Sequence, residues 1–267
     1  MSNRLQHKLD QVRAELRALG RVAVAFSGGI DSTVLLALAC ETLGPDAVLA
    51  VTADSASLAR AELANARRLA ARLGVPHLVI ATAETANPRY QANASDRCYI
   101  CKQTLFEELE PLAAARGMAI VYGAIGDDVA AARPGQQAAA ERRVRAPLQS
   151  AGIEKWEVRE AGQALGLPNW DTPQNACLAS RIPHGQPVTE QKLGQVEDAE
   201  AFLRSRGFRQ VRVRHLGEKA RVEVEPGAID RFRDEELFAA TVARLHACGF
   251  QAIEIDPYGY RPGGADA

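Results

Sequence analysis

The sequence carries no excess of basic charge. Its 267 residues hold 32 Lys and Arg against 33 Asp and Glu, a formal net charge of −1. Proteins whose main task is gripping nucleic acid carry a basic excess, because phosphate neutralisation supplies most of the affinity. Stable nucleic-acid binding is therefore not expected. Two local basic clusters remain, Arg142, Arg143 and Arg145, and then Arg209, Arg212 and Arg214. Long apolar runs are missing too. None reaches the ~18 residues that a membrane span needs, so no membrane association is expected. Residues 1–20 read as a charged amphipathic helix, and the apolar run at 22–26 is too short for a secretory signal. The expected compartment is the cytoplasm. Cysteine is sparse, with five residues. In a reducing compartment these are thiols, metal ligands or nucleophiles rather than a disulfide framework.

What is present is a balanced composition, 47% hydrophobic and 24% charged, enough for one large domain or two ordinary ones. Leu5, Leu9, Val12, Leu16 and Leu19 recur at helical spacing. Short apolar runs at 21–26, 47–52, 77–81 and 119–122 read as strands. Helical patterns at 32–43, 58–73, 102–116 and 154–165 alternate with or follow them. This alternation predicts an α/β domain, a mostly parallel sheet with right-handed crossovers. Ligands then sit outside the carboxyl ends of its strands. The loops after strands one, three and four fall on that edge. The pattern changes near Pro183-His184-Gly185. A helix within 186–207, hairpin strands at 211–215 and 220–225, a helix at 237–248 and a strand at 252–255 predict a smaller α+β unit. The expected division is 1–184 and 185–260, with a disordered tail at 261–267.

Ser27-Gly28-Gly29-Ile30-Asp31-Ser32 follows a strand and opens a helix. Glycines let backbone approach phosphate, and the helix N-terminus offers free N–H groups and positive potential. The serines add hydroxyl donors. Asp31 repels phosphate unless a divalent cation lies between them, which points to magnesium. The alternative is a glycine turn capped by Asp31 or Ser32. The Gly-Lys-Ser/Thr of a Walker A loop is absent.

Strand, loop and helix in this order resemble the PP-loop ATP pyrophosphatases. That resemblance implies a Rossmann-like fold of the adenine nucleotide alpha hydrolase type. It also implies ATP cleavage to AMP and pyrophosphate through an adenylated substrate. Further segments narrow it. Asp96-Arg97-Cys98-Tyr99-Ile100-Cys101-Lys102, Arg133-Pro134-Gly135, Arg145-Ala146-Pro147-Leu148 and Ala176-Cys177-Leu178-Ala179-Ser180-Arg181-Ile182-Pro183 are similar to the LarE sulfur transferases. So are Arg212-Val213-Arg214-His215 and Ala220-Arg221-Val222-Glu223. One segment departs: Gly123-Ala124-Ile125-Gly126-Asp127-Asp128 stands where the family pattern has Gly-Thr-Asn-Ala-Asp-Asp. The resemblance implies a substrate like a pyridinium-3,5-dicarboxylate mononucleotide, a thiocarboxylate product of the nickel-pincer cofactor route, and a ring-like homo-oligomer. Sulfide or another sulfur donor is the implied partner.

Cys98 and Cys101 form a C-x-x-C ahead of a helix, and Cys177 lies far along the chain. A C-x-x-C alone is a redox pair or half of a zinc site; His184 is the nearest fourth ligand for zinc. Three thiolates also hold a 4Fe-4S cluster with one open iron. The resemblance implies the same choice. Members with only the cysteine equivalent to Cys177 look like single-turnover donors that keep dehydroalanine. Members with all three look cluster-dependent, and this chain has all three. Cys40 and Cys248 read as core residues.

Asp127 and Asp128 read as magnesium or adenylate ligands, or as loop caps. Asp54 and Ser55, with Ser57 and Arg60 close behind, sit where adenine or ribose would lie. Ser180 and Arg181 flank Cys177, and an Arg there suits a substrate carboxylate or phosphate. Arg212 and Arg214 share one strand face; anion binding and a solvated face are the two readings. Glu200, Arg214 and Glu223 are carried over from the resemblance as substrate residues. Rivals are a tRNA-thiolating enzyme of the same superfamily, an amide-forming synthetase that needs none of the three cysteines, and a nucleotide sensor that releases no pyrophosphate.

Overall fold

The computed structural model describes residues 2–130, 134–173 and 175–261. Arg133 and residues 262–267 lie outside them. Chain contacts group the residues into two units, Met1–Glu84 with Asp96–Gln174, and Thr85–Ser95 with Asn175–Ala267. Residue 184, the boundary expected from the sequence, lies inside the second unit, which also takes in the 85–95 segment. Asn93 is the physical reason. Its backbone is left-handed (φ 55°), its side chain is buried, and its amide donates to the carbonyls of Ile182, Pro183 and Gln186 at 3.2, 2.8 and 2.9 Å.

The chain opens with α1 (Asn3–Leu19), capped by the Ser2 hydroxyl, then β1 (Val22–Ala25) and α2 (Ile30–Leu43). Next come β2 (Val48–Asp54), α3 (Arg60–Arg72) and β3 (His77–Ala81). A short α4 (Pro88–Gln91) belongs to the second unit. The first unit resumes with α5 (Arg97–Ala114), β4 (Ala119–Tyr122), α6 (Asp127–Ala130), α7 (Pro134–Glu141), α8 (Pro147–Ser150) and α9 (Lys155–Ala164). Its four strands are all parallel, in the order β3-β2-β1-β4. Alternate strand residues face opposite layers. Val22, Val24, Val48, Ala50 and Val121 pack with apolar residues of α1, α2, α3 and α9. Ala23, Ala25, Leu49, Val51 and Tyr122 pack with Phe106, Leu109 and Ala113 of α5 and Ala139 of α7. Burial on both faces explains why β1 and residues 48–51 of β2 are apolar throughout. Strand order reverses between β1 and β4, which places a ligand crevice at the loops following those two strands.

The second unit carries α10 (Glu190–Ser205), β5 (Val211–Leu216), β6 (Lys219–Val224), α11 (Glu235–Ala247) and β7 (Ala252–Ile255). β5 and β6 form the expected antiparallel hairpin, and β7 adds parallel to β6. Phe208, Val211, Val213, Val222, Leu245 and Phe250 are among its core. No helix among the described residues is long and apolar enough to cross a membrane.

One boundary differs from expectation in a way that matters. The helix predicted to follow the C-x-x-C begins at Arg97, so Cys98 and Cys101 lie inside its first turns. Buried Arg97 and Ile100 anchor that turn, and the Asp96 carbonyl accepts from the Tyr99 and Ile100 N–H groups.

Candidate active site

The loop after β1 begins α2 with Gly29 at the N-cap, and no side chain caps the helix. The first-turn N–H groups are thus left available to an anion, as a phosphate site requires. The loop is held from within. The Ser32 hydroxyl donates to the Gly29 carbonyl at 3.0 Å and lies 3.2 Å from the Ser27 hydroxyl, which accepts from the Gly29 N–H. Gly28 has φ +76°, and an added Cβ there would meet Ala66 at 3.2 Å. Buried Asn169, distant in sequence, supports the loop by donating to the Gly28 carbonyl and the Thr33 hydroxyl at 3.0 Å each. Gly123, after β4, is set against the same turn: a Cβ there would sit 2.8 Å from the Ser32 nitrogen. Its glycine identity is a matter of space, since its φ is not positive.

Asp31 does not stand alone. Lys155, the first residue of α9, donates to both Asp31 carboxylate oxygens at 2.8 Å. The Lys155 backbone N–H points at Asp127 Oδ2, 3.3 Å away. Burial raises the pKa of Asp31, with Lys155 opposing that rise and Asp128 adding to it. Asp128 caps its own loop by accepting from the Ile125 N–H at 3.1 Å. Asp54, at the end of β2, pairs with Arg60 at 2.5 Å, and Ser57 beside it is buried. These residues fit ATP and a hard divalent cation: an uncapped helix start, two glycines without room for a side chain, and carboxylate oxygens of the kind magnesium takes.

In the second unit, Cys177 is exposed and its thiol is free. The loop that carries it is fixed from below by Arg181, which is 1% exposed. The Arg181 guanidinium donates to the carbonyls of Ala176 and Cys177 at 2.5 and 2.8 Å, and forks onto Glu200 at 2.7 and 2.9 Å. Ser180 turns its hydroxyl to the Cys177 carbonyl at 2.8 Å. Burial pushes the Glu200 carboxyl up, but Arg181, Arg204 and the Val213 N–H outweigh it and leave Glu200 below the usual carboxylate range. Arg214 forks in the same way onto Glu223, at 3.0 and 2.9 Å, and donates to the Ser180 carbonyl. Arg212 is also buried and lies over the Tyr260 ring; burial, with Arg181 nearby, lowers its pKa to about 10. A solvated face is therefore excluded for Arg212 and Arg214. Arg181, read from the sequence as a substrate clamp, has its donors engaged within the protein.

A match to the asparagine synthase family covers residues 5–95, the stretch that contains β1, the Ser27–Ser32 loop and β2. A pyridinium-3,5-bisthiocarboxylic acid mononucleotide synthase of Lactiplantibacillus plantarum is 38% identical over 252 residues, covering 94% of this chain and 90% of its own length. The chain belongs to the LarE family. An uncharacterized protein of Synechocystis sp. is 43% identical over 97% of both chains. One of Methanocaldococcus jannaschii is 26% identical over 90% of this chain.

Within this LarE-family chain, the three motif cysteines divide between the units. Cys98 is exposed and Cys101 partly buried, one turn apart on a single face of α5; Cys177 belongs to the other unit. Among the described residues, no three His, Cys, Asp or Glu side chains are gathered as a metal site. None of the three is tied up in a disulfide, and thiolates outside disulfides are what a thiolate-held group requires. His184, the sequence candidate for a fourth ligand, has its Nδ1 3.1 Å from the Asn93 carbonyl oxygen. Cys40 and Cys248 are partly buried against the two cores, and burial raises both thiols. Of the basic clusters, Arg142 pairs with Glu107 and Glu110, and Arg145 with Glu15.

Three site residues escaped the sequence reading. Lys155 had a signal: a cation at a helix start opposes the helix dipole and needs a partner. Lys102 lies over the Phe106 and Tyr122 rings at 5.8 and 5.5 Å. Burial lowers its pKa, against Cys101, Cys98 and Asp128, which mark it as a neighbour of both the C-x-x-C and the loop after β4. Asn169 had no signal, because its role depends on a partner 141 residues away.

Proposed function

We propose that the protein adenylates a carboxylate of a pyridinium dicarboxylate mononucleotide with ATP and converts it to a thiocarboxylate. The carboxylate oxygen attacks the α-phosphorus and pyrophosphate leaves. The uncapped start of α2 and the Ser27 and Ser32 hydroxyls hold the departing phosphates. A sulfur nucleophile then attacks the acyl carbon and AMP departs with the bonding pair. Activation is needed because a carboxylate oxygen is a poor leaving group and AMP a good one. Asp31 and Asp127 would hold magnesium, which supplies charge neutralisation on the leaving pyrophosphate. Arg181, Arg214, Glu200 and Glu223 shape the Cys177 loop, and Asp54, Ser57, Gly123 and Asp128 border the nucleotide.

The observation that carries the reading is the Cys177 loop: an exposed free thiol on backbone fixed by a buried Arg181–Glu200 pair. Its likeness to a bisthiocarboxylic acid mononucleotide synthase supports the substrate class. Cys98, Cys101 and Cys177 would hold a 4Fe-4S cluster, which when bound supplies an open iron for an extra sulfide. A second reading is favoured by the exposure of Cys177. There the Cys177 sulfur attacks the acyl adenylate, the thioester loses its Cα proton, and elimination leaves dehydroalanine and a thiocarboxylate. Both readings share one test. Protein, ATP, magnesium, sulfide and pyridinium-3,5-dicarboxylate mononucleotide should yield pyrophosphate and a product in which sulfur replaces one oxygen. Pyrophosphate without any sulfur in the product would point to an amide-forming synthetase instead.

A further inference from the structure

The Cys177 loop is pinned at both ends by buried side chains. Arg181 holds its entry through the carbonyls of Ala176 and Cys177. Its exit is held by Asn93, far back in the chain, whose amide donates to the carbonyls of Ile182, Pro183 and Gln186. The orientation of that amide is set by chemistry, since a flipped amide would turn its oxygen against three carbonyl oxygens. The Asn93 carbonyl faces the same turn, accepting from the Gly185 N–H at 3.1 Å and lying 3.1 Å from His184 Nδ1. Asn93 is fully buried and has φ 55°, a region that Asn enters more readily than most residues with a side chain. The segment around it is attached as well: the Thr85 hydroxyl donates to Glu190 at 3.1 Å, and the Gln91 carbonyl accepts from the Val188 N–H at 2.9 Å. Residues 85–95 group with the second unit, and at Asp96 the chain rejoins the first. Cys98 follows in the first turn of α5. The anchor of the Cys177 loop is thus only a few residues of chain from the C-x-x-C.

We propose that Asn93 is a positioning residue for sulfur transfer, holding the exit of the Cys177 loop to the stretch of chain that leads into Cys98 and Cys101. The inference rests on the sulfur-transfer reading and adds to it a residue outside the three cysteines. Asn93 touches no reacting group; it acts through the carbonyls of the 182–186 turn. Removing its amide leaves those carbonyls without a donor inside the protein and lets the turn shift. Sulfur attack on an acyl carbon needs close alignment, so a small displacement of Cys177 is costly to that step. The hold on the turn also shortens the tether between Cys177 and the C-x-x-C, and a short tether raises the effective concentration of the groups it joins. Without it, the path along the chain runs the whole way from residue 98 to residue 177. Adenylation draws on the Ser27–Ser32 loop of the first unit and does not depend on this hold.

The test uses the full chain and two variants. Asn93→Gly keeps the left-handed backbone and removes the amide. Asn93→Asp keeps the size but sets an acceptor against three carbonyls; should it fail to fold, Asn93→Gly carries the test alone. Hydrogen exchange over residues 182–186 should quicken about tenfold in Asn93→Gly, the shift expected when a buried hydrogen-bonded group loses its partner. Exchange over residues 27–43 should not change. With ATP, magnesium, sulfide and pyridinium-3,5-dicarboxylate mononucleotide, pyrophosphate release should match the unaltered protein, while thiocarboxylate formed per pyrophosphate falls about tenfold. After anaerobic reconstitution with iron and sulfide, the variant should lose iron to a chelator about tenfold faster. Unchanged exchange over 182–186 would overturn the proposal. So would thiocarboxylate and pyrophosphate falling in proportion, the mark of a role in folding alone. Faster exchange with unchanged iron loss would overturn the link to the C-x-x-C. If the unaltered protein takes up no iron, the cluster fails and the ratio of the two products still decides the role of Asn93. Absence of thiocarboxylate from the unaltered protein would overturn the sulfur-transfer reading and this proposal together.

Discussion

Arg181 and Glu200 form a two-point ion pair in the interior of the second unit, Nε to Oε1 at 2.7 Å and Nη2 to Oε2 at 2.9 Å. Both side chains are at most 1% exposed. The other Glu200 contacts, Arg204 at 2.6 Å and the Val213 N–H at 3.1 Å, make it the centre that joins α10 to β5 and to the Cys177 loop. Removing one member of such a pair leaves a buried charge without compensation.

Glu200→Gln should therefore destabilise the protein by about 3–5 kcal/mol in chemical denaturation at pH 7. The pH dependence carries a sign. Glu200 is lowered from its ordinary 4.5, so its contribution is complete above that value and is lost as pH falls through the lower folded value. The acid limb of the stability profile should be flatter in Glu200→Gln than in the unaltered protein. Parallel limbs would mean that Glu200 is not the group that titrates.

Arg181→Lys keeps the charge and loses the fork that reaches Glu200 and two carbonyls at once. The Cys177 loop should loosen, and alkylation of Cys177 by iodoacetamide should speed up while ATP binding stays unchanged. Weaker ATP binding with unchanged alkylation would show that Arg181 serves the nucleotide.

Gly123→Ala places a Cβ 2.8 Å from the Ser32 nitrogen and 2.9 Å from its Cα. Backbone on both sides cannot yield as a side-chain tip would. The expected loss is about 1–3 kcal/mol in thermal unfolding, the range for overpacked sites, together with weaker ATP binding because the phosphate loop must shift. Full ATP affinity in a destabilised variant would confine Gly123 to packing.

Much of this site was legible in the sequence, and the limit was physical. The strand–Ser27-Gly28-Gly29-Ile30-Asp31-Ser32–helix order is local, so phosphate chemistry could be read from neighbours in the chain. Apolar runs on strands buried on both faces gave the parallel sheet. The pairing of Asp31 with Lys155 spans 124 residues, and that of Asn93 with the 182–186 turn about ninety. Neither has periodicity to announce it. Arg212 and Arg214 alternate on β5 as a solvated face would; only the carboxylate of Glu223 and the ring of Tyr260 beside them reveal burial. The start of α5 at Arg97 rather than after Cys101 reflects the anchoring of Arg97 and Ile100, which overrides the weak helix preference of that stretch.

Asp31→Asn should abolish pyrophosphate release while the fold remains intact. The amide cannot bridge to magnesium as a carboxylate does, and metal charge stabilisation of the leaving group is worth several kcal/mol. The variant also strands the Lys155 ammonium beside the loop, so ATP binding itself should persist. A pyrophosphate assay beside a binding titration separates the two. Near-normal release would remove Asp31 from the reaction and leave the loop as a capped turn.

The final prediction separates the two sources of sulfur. With Cys98, Cys101 and Cys177 holding a cluster, anaerobically reconstituted protein should contain about four irons per chain. Given sulfide and ATP, it should form more than one thiocarboxylate per chain, and Cys98→Ala or Cys101→Ala should remove both the iron and the repeated turnover. Donation by Cys177 itself predicts the opposite on each count. Turnover stops at one sulfur per chain, Cys98→Ala is nearly silent, and the protein loses the mass of hydrogen sulfide. Intact-protein mass spectrometry before and after reaction reads that loss, and peptide mapping assigns it. The division of the cysteines makes the experiment decisive: Cys98 and Cys101 share one face of α5, and Cys177 is carried by another unit. A ligand joining them requires all three, whereas donation requires only Cys177. A uniform loss at Cys177 without any iron requirement refutes the cluster and leaves adenylation and sulfur transfer in place, because the acyl adenylate accepts sulfur from either source.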